Sequence, residues 1–236
     1  MGLDVYVGTL TRYYAGEWQT VVQQATRDAG FPVTIIRHNV PSDAVTDPAV
    51  IEPAVIAWRD ALNVGLRPHL TAPLTWNEGM TPSYFTDKPA WESYAALLIW
   101  AAHEEHRGLP LPSVAPEDWS ADVAVCRSQA EGFRSRYGQL LHGAELWLPG
   151  DFSFTFSAGD LGGDAVTIGC VHALVSQLRD LNDRTWKANA AEVSEYLRLG
   201  AERGAPLETS ARFGFAVFMK LAESAAEHHL PLKLDY

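Results

Sequence analysis

The chain has 236 residues, 47% of them hydrophobic and 20% charged, a globular composition with enough length for a sizeable core. Eighteen Lys and Arg stand against 29 Asp and Glu, and the formal net charge of −11 repels phosphate backbones and argues against nucleic-acid binding. Cys126 and Cys170 are too few for a zinc site or a disulfide framework and read as buried free thiols, and the longest apolar run, 95–102, is too short to span a bilayer.

The N-terminus has no basic region leading into an apolar core, and Tyr6 stands where a myristoylation signal prefers Ser or Thr. A cytoplasmic protein without membrane contact is therefore expected. Leu3, Val5 and Val7 alternate with Asp4 and Tyr6, the period of a strand, and its apolar character places it centrally in a sheet. Arg12-Tyr13-Tyr14 follows as a strand-end loop. Trp18, Val21, Val22 and Ala25 share one face of a helix that Gly30 stops. Val33 to Ile36 reads as a second strand, which would complete a βαβ unit.

Asp47-Pro48 is a strong helix start, and Val55, Trp58, Leu62 and Leu66 carry its apolar side. Residues 68–84 are proline-rich and irregular. Asp87 is expected to cap a helix from Pro89 to His106, buried through Trp91, Tyr94, Leu98 and Ala102. A further helix is expected from Pro116 to about Gly138. Next, Phe152, Phe154 and Phe156 alternate with hydroxyl residues as a strand. Leu146-Trp147-Leu148 and this strand are expected to pair as a hairpin across Pro149-Gly150. Phe154 should then lie between the sheet and the following helix, with Thr155 facing away.

The Gly- and Asp-rich stretch 159–164 reads as a connection to a third strand, Val166 to Ile168. Val171, Leu174, Val175, Leu178 and Leu181 form a helical stripe. Two more helices are expected over 189–199 and 208–228, and Pro231 closes the pattern. The fold class is α+β: helices packed on a small mixed β-sheet in a single domain, with a possible helical subdomain over 86–138.

Gly2 to Gly8 with Leu10 to Tyr14, Phe85 to Trp91, and Trp147-Leu148-Pro149 with Phe152 to Phe154 together resemble a family of bacterial proteins of similar length. That family has no assigned function. The resemblance spans nearly the whole chain and implies one domain, but no activity and no site.

Candidate chemistry is sparse. His103 and His106 are three apart on one helix face, not in the H-E-x-x-H spacing of a zinc protease, so no metal is assigned. With Glu104, Glu105 and Arg107 they read as a solvated last turn. Asp160 and Asp164 lack the further oxygen donors of a calcium loop. No Gly-x-Ser-x-Gly elbow is present, Cys170 and His172 are not a catalytic pair by adjacency, and most of the tryptophans fall on apolar stripes. The polar groups at expected strand ends, Arg12, Tyr13, Tyr14, Asp160 and His172, form the candidate binding set. No cofactor is implied. Acidity and the lack of a complete catalytic motif favour a cytosolic, non-enzymatic protein that binds a basic protein partner, as toxin-neutralising immunity proteins do. The alternative is an enzyme with its site near 10–14 and 159–164.

Overall fold

A computed structural model describes residues 3–31 and 46–236. The fold is α+β: helices on both sides of a mixed sheet. In chain order the elements are β1 (Asp4–Val7), α1 (Leu10–Ala15), α2 (Val21–Asp28), α3 (Pro48–Leu66), β2 (Phe85–Asp87), α4 (Trp91–Glu105), α5 (Val123–Ser128) and α6 (Gly138–Leu141). These are followed by β3 (Leu146–Leu148), β4 (Phe156–Gly159), β5 (Ala165–Cys170), α7 (Val171–Arg184), α8 (Ala190–Leu199), α9 (Leu207–His228) and β6 (Leu232–Asp235).

The strand order is β2-β1-β6-β3-β5-β4. Among the described residues only β3 and β5 run parallel; every other neighbouring pair is antiparallel. Strand alternation sorts the core into two faces. Leu3, Val5, Val7, Trp147, Leu232 and Leu234 pack under α4, α7 and α9. Leu146, Leu148, Val166, Ile168 and Cys170 face the other way, toward α1 and α3. The expected central position of β1 holds, since β2 and β6 flank it and its four residues are buried. Cys170 is a buried free thiol as expected, whereas Cys126 is exposed.

Several expectations are corrected. Residues 12–14 belong to a short helix, not a loop. Thr9 caps it, and the buried Glu78 carboxylate accepts the backbone N–H groups of Leu10 (3.3 Å) and Thr11 (2.8 Å). Asp87 ends a strand and accepts Lys220 Nζ at 3.0 Å, while α4 begins after Ala90 with no side-chain cap. The helix expected over 116–138 is broken into a 3-10 turn at Trp119–Ala121, α5 and α6. Gly132 at φ +82° turns the chain there, and the Glu105 carboxylate accepts from Ser135 Oγ and the Arg136 N–H.

The hairpin expected across Pro149-Gly150 does not form. Both edges of β3 are occupied, by β5 on one side and β6 on the other. The C-terminal strand β6, which the sequence pattern did not reveal, takes the edge that a hairpin partner needs. Residues 152–155 therefore lie outside the ladder. Gln139 Nε2 donates instead to the carbonyls of Ser153 and Phe154, at 3.2 and 3.3 Å. Strand pairing resumes at Phe156, with β4 against β5. Phe154 is half-buried against Phe152 and Phe156 on the α3 side of the sheet, not under α7. The strand expected at Val33 to Ile36 lies outside the described residues.

Candidate functional site

Of the five sequence candidates, Tyr13, Tyr14 and Asp160 come together, with the Tyr13 and Tyr14 rings edge to face at 5.2 Å, whereas Arg12 binds the 80–84 segment and His172 lies in a separate groove. Arg12 donates to the carbonyl of Pro82 at 2.5 Å and to that of Met80, and lies 5.1 Å from the Tyr84 ring centroid, so it secures the 80–84 segment. The Tyr13 hydroxyl donates to Asp235 Oδ1 at 2.5 Å, and burial with the Asp235 charge raises its pKa. Tyr14 and Asp160 do meet, with the phenol donating to Oδ2 at 3.0 Å. Asp160 also closes its own turn by accepting the N–H groups of Gly162 and Asp164. His172 is exposed on the first turn of α7, in a groove with Ser176, Glu223 and Glu227. Among the described residues it shares no hydrogen bond or ring contact with the other four.

The end of α4 differs most from its sequence reading. It is not a solvated turn. His103 is buried with Nε2 3.2 Å from Asp122 Oδ2, and His106 Nε2 lies 3.1 Å from Ser128 Oγ, so the two histidines serve different partners. Among the described residues no cluster of His, Cys, Asp or Glu could hold a metal ion. The Glu104 side chain is only 4% exposed and accepts from Arg107 at 2.5 Å and from the Tyr137 hydroxyl at 3.0 Å. That hydroxyl also lies 3.1 Å from Asp180 Oδ2. Burial and the two carboxylates raise the Tyr137 pKa and keep the phenol protonated. Arg184 joins the group, with Nε 2.9 Å from Asp180 Oδ2 and a guanidinium nitrogen 3.9 Å from Glu104. Its own proton is held more tightly by the hydrogen bond to Asp180.

Two cavities flank this network and share Glu104, Arg107 and Arg184. The first, about 450 Å³, lies between the end of α4, the end of α7 and the start of α9. Trp100, Trp186, Leu109 and Leu111 supply its apolar wall, and His103 and Arg212 add polar groups. Trp186 is wedged between Trp100 and Phe215, with ring centroids 5.5 and 5.2 Å away. Glu208 also lines this cavity and accepts from Arg212 Nη2 at 2.6 Å, while two donors on the lining residues, Trp186 Nε1 and Arg212 Nε, are closed off from solvent and have no hydrogen-bond partner among the described residues. The second cavity, about 350 Å³, is lined by Phe133, Arg134 and Arg136 beside the shared residues.

The sequence pattern reads 103–107 as a solvated last turn, with metal binding as the one chemistry weighed against it. Its overlooked signal was the Arg134-Ser135-Arg136 pair in a chain poor in basic residues. No family model, curated protein or solved structure matches the chain.

Proposed function

We propose that this protein binds a small acceptor-bearing ligand in the cavity between the ends of α4 and α7 and the start of α9. The carrying observation is the cavity wall of Trp100, Trp186, Leu109 and Leu111 with two unpartnered donors on its lining residues, Trp186 Nε1 and Arg212 Nε, which are closed off from solvent and would be reached by a small side-chain shift on binding. A buried unpaired donor costs about 1–3 kcal/mol. A ligand that supplies the acceptor recovers that cost on binding. The cavity volume of about 450 Å³ falls within the range of roughly 300–1,000 Å³ common for small-molecule sites, which pair an apolar wall with a few convergent polar groups.

Benzoate is a suitable probe because it joins a flat apolar ring to two acceptor oxygens. Calorimetric titration should give saturable 1:1 binding to the wild type. Trp186→Phe keeps an aromatic ring at the position but removes the N–H with the five-membered ring that carries it, and should weaken benzoate about tenfold, the loss of one charge-assisted hydrogen bond of about 1.5 kcal/mol. Without ligand the same variant gives up part of the packing against Trp100 and Phe215 and should be somewhat less stable, so its affinity is read on protein shown to be folded by circular dichroism. Equal benzoate affinity in the two proteins would sink the reading.

A second reading is a basic protein partner of the toxin-neutralising kind, supported by the net charge of −11. It predicts a stoichiometric basic protein in a pull-down whose capture weakens steeply with salt; salt-independent capture, or none, counts against it.

A further inference from the structure

We propose that the ligand has two parts: a largely apolar body with a hydrogen-bond acceptor in the Trp100–Trp186 cavity and an oxyanion head, phosphate or carboxylate, among Arg107, Arg134, Arg136 and Arg184. This deepens the reading above and rests on it.

The first support is charge. In a chain of net charge −11, four arginines from three separate segments converge on one 350 Å³ cavity. The carboxylates facing them are already engaged. Glu104 holds Arg107 and the Tyr137 hydroxyl. Asp180 holds Arg184, with Arg136 at 3.8 Å. Glu105 accepts from Ser128, Ser135 and the Arg136 N–H. Arg134 has no ion pair among the described residues. A purely structural ion-pair network would match each cation to a carboxylate; here one cation is left over. Guanidinium forks suit carboxylate and phosphate, which they can bind through two parallel hydrogen bonds.

The second support is continuity. Arg107, Arg184 and Glu104 line both cavities, so the head site and the body site are neighbours, with these three side chains between them. Exposed apolar side chains stand at both, Leu111 (45%) at the first and Phe133 (40%) at the second. They would cover the joint of a bound molecule.

The probes are inorganic phosphate, 1-naphthol, 1-naphthyl phosphate and 1-naphthylacetate, titrated calorimetrically into the full chain at 0.15 M salt. Linking head and body makes the second contact intramolecular. At least one naphthyl oxyanion should therefore bind about 30-fold or more tighter than 1-naphthol or phosphate alone. Tighter 1-naphthyl phosphate identifies a phosphate ester as the natural chemistry, and tighter 1-naphthylacetate a carboxylate; either supports the proposal. Arg134→Ala and Arg136→Ala alter exposed side chains and should leave folding intact. Each should weaken the naphthyl oxyanion about tenfold and leave 1-naphthol unchanged. The proposal is overturned if the naphthyl oxyanions bind no tighter than 1-naphthol, or if both arginine variants bind them like the wild type. Persistent binding of benzoate and 1-naphthol in that case leaves the single-cavity reading standing. Failure of benzoate and 1-naphthol together removes both.

Discussion

Gly214 sets how closely α9 approaches α4, and replacing it with alanine tests that crossing. A Cβ built at this position stands 2.3 Å from the carbonyl oxygen of Ser93, 2.9 Å from its carbon and 3.4 Å from Leu97 Cβ. The first two atoms are backbone, so no side-chain rotation relieves the clash, and the helices must separate by about 1 Å. Overpacking of this kind costs about 1–3 kcal/mol, and rigid backbone on both sides puts it at the upper end. Alanine recovers about 1 kcal/mol of helix propensity over glycine. The expected net loss for Gly214→Ala is about 2 kcal/mol, or about 4–8 °C in Tm for a chain of this size. Urea denaturation should show a lower midpoint with an unchanged m-value. A neutral or stabilised variant would mean that propensity alone operates and that the close crossing of α4 and α9 is wrong.

Three further outcomes are expected. Glu78→Ala should cost about 3 kcal/mol or more in urea denaturation, because Leu10 N–H, Thr11 N–H and Trp76 Nε1 lose their shared buried acceptor; a loss under about 1 kcal/mol would show that water replaces the carboxylate freely. Phe152→Ala should cost about 3–4 kcal/mol and Phe154→Ala less, since Phe152 is buried and Phe154 half-buried; the reverse order would mean that Phe154 is the more deeply buried ring, as the alternation had it. Raising the pH above about 10 should destabilise the protein steeply, because Tyr6, Tyr94 and Tyr137 are buried with raised pKa values. Unfolded phenols lose their protons near pH 10 while the folded ones keep them, so the unfolded state binds fewer protons and stability falls by about 1.4 kcal/mol per tyrosine per pH unit. Tyrosinate absorbance should rise together with loss of helical circular dichroism; phenol ionisation well before unfolding would contradict their burial.

The legible parts of the fold are those with a long period and a local cap. α3 announces itself through Asp47-Pro48, α7 through five apolar residues at helical spacing, and α9 through Phe215, Phe218 and Leu221. The illegible parts depend on partners far away in sequence. β6 is four residues long, and only its pairing with β1 and β3 makes it a strand. Its presence decides that Leu146–Leu148 cannot take Phe152–Phe156 as a partner. Glu104 and Glu105 look solvated from their neighbours in sequence, but Tyr137, Ser128 and Ser135 bury or engage them from 23 to 33 residues away. The cleft was hidden for the same reason. Trp186, Arg212, Arg134 and Arg107 come from four segments, and no one segment carries a recognisable spacing. Of the sequence candidates, Tyr13, Tyr14 and Asp160 came together through their side chains, the two tyrosine rings edge to face at 5.2 Å, and Tyr14 and Asp160 are occupied in holding α1 to the β4–β5 turn.

The most direct measurement of the proposed binding site is an amide and indole NMR spectrum of the labelled protein during a benzoate titration. The eight tryptophans give eight indole N–H signals, and Trp186→Phe assigns the relevant one by its disappearance. If Trp186 Nε1 is an unpartnered donor that the ligand satisfies, its proton signal should move downfield, by more than any other indole, and saturate with the same affinity as calorimetry gives. A Trp186 signal that stays in place at saturating benzoate would contradict the account.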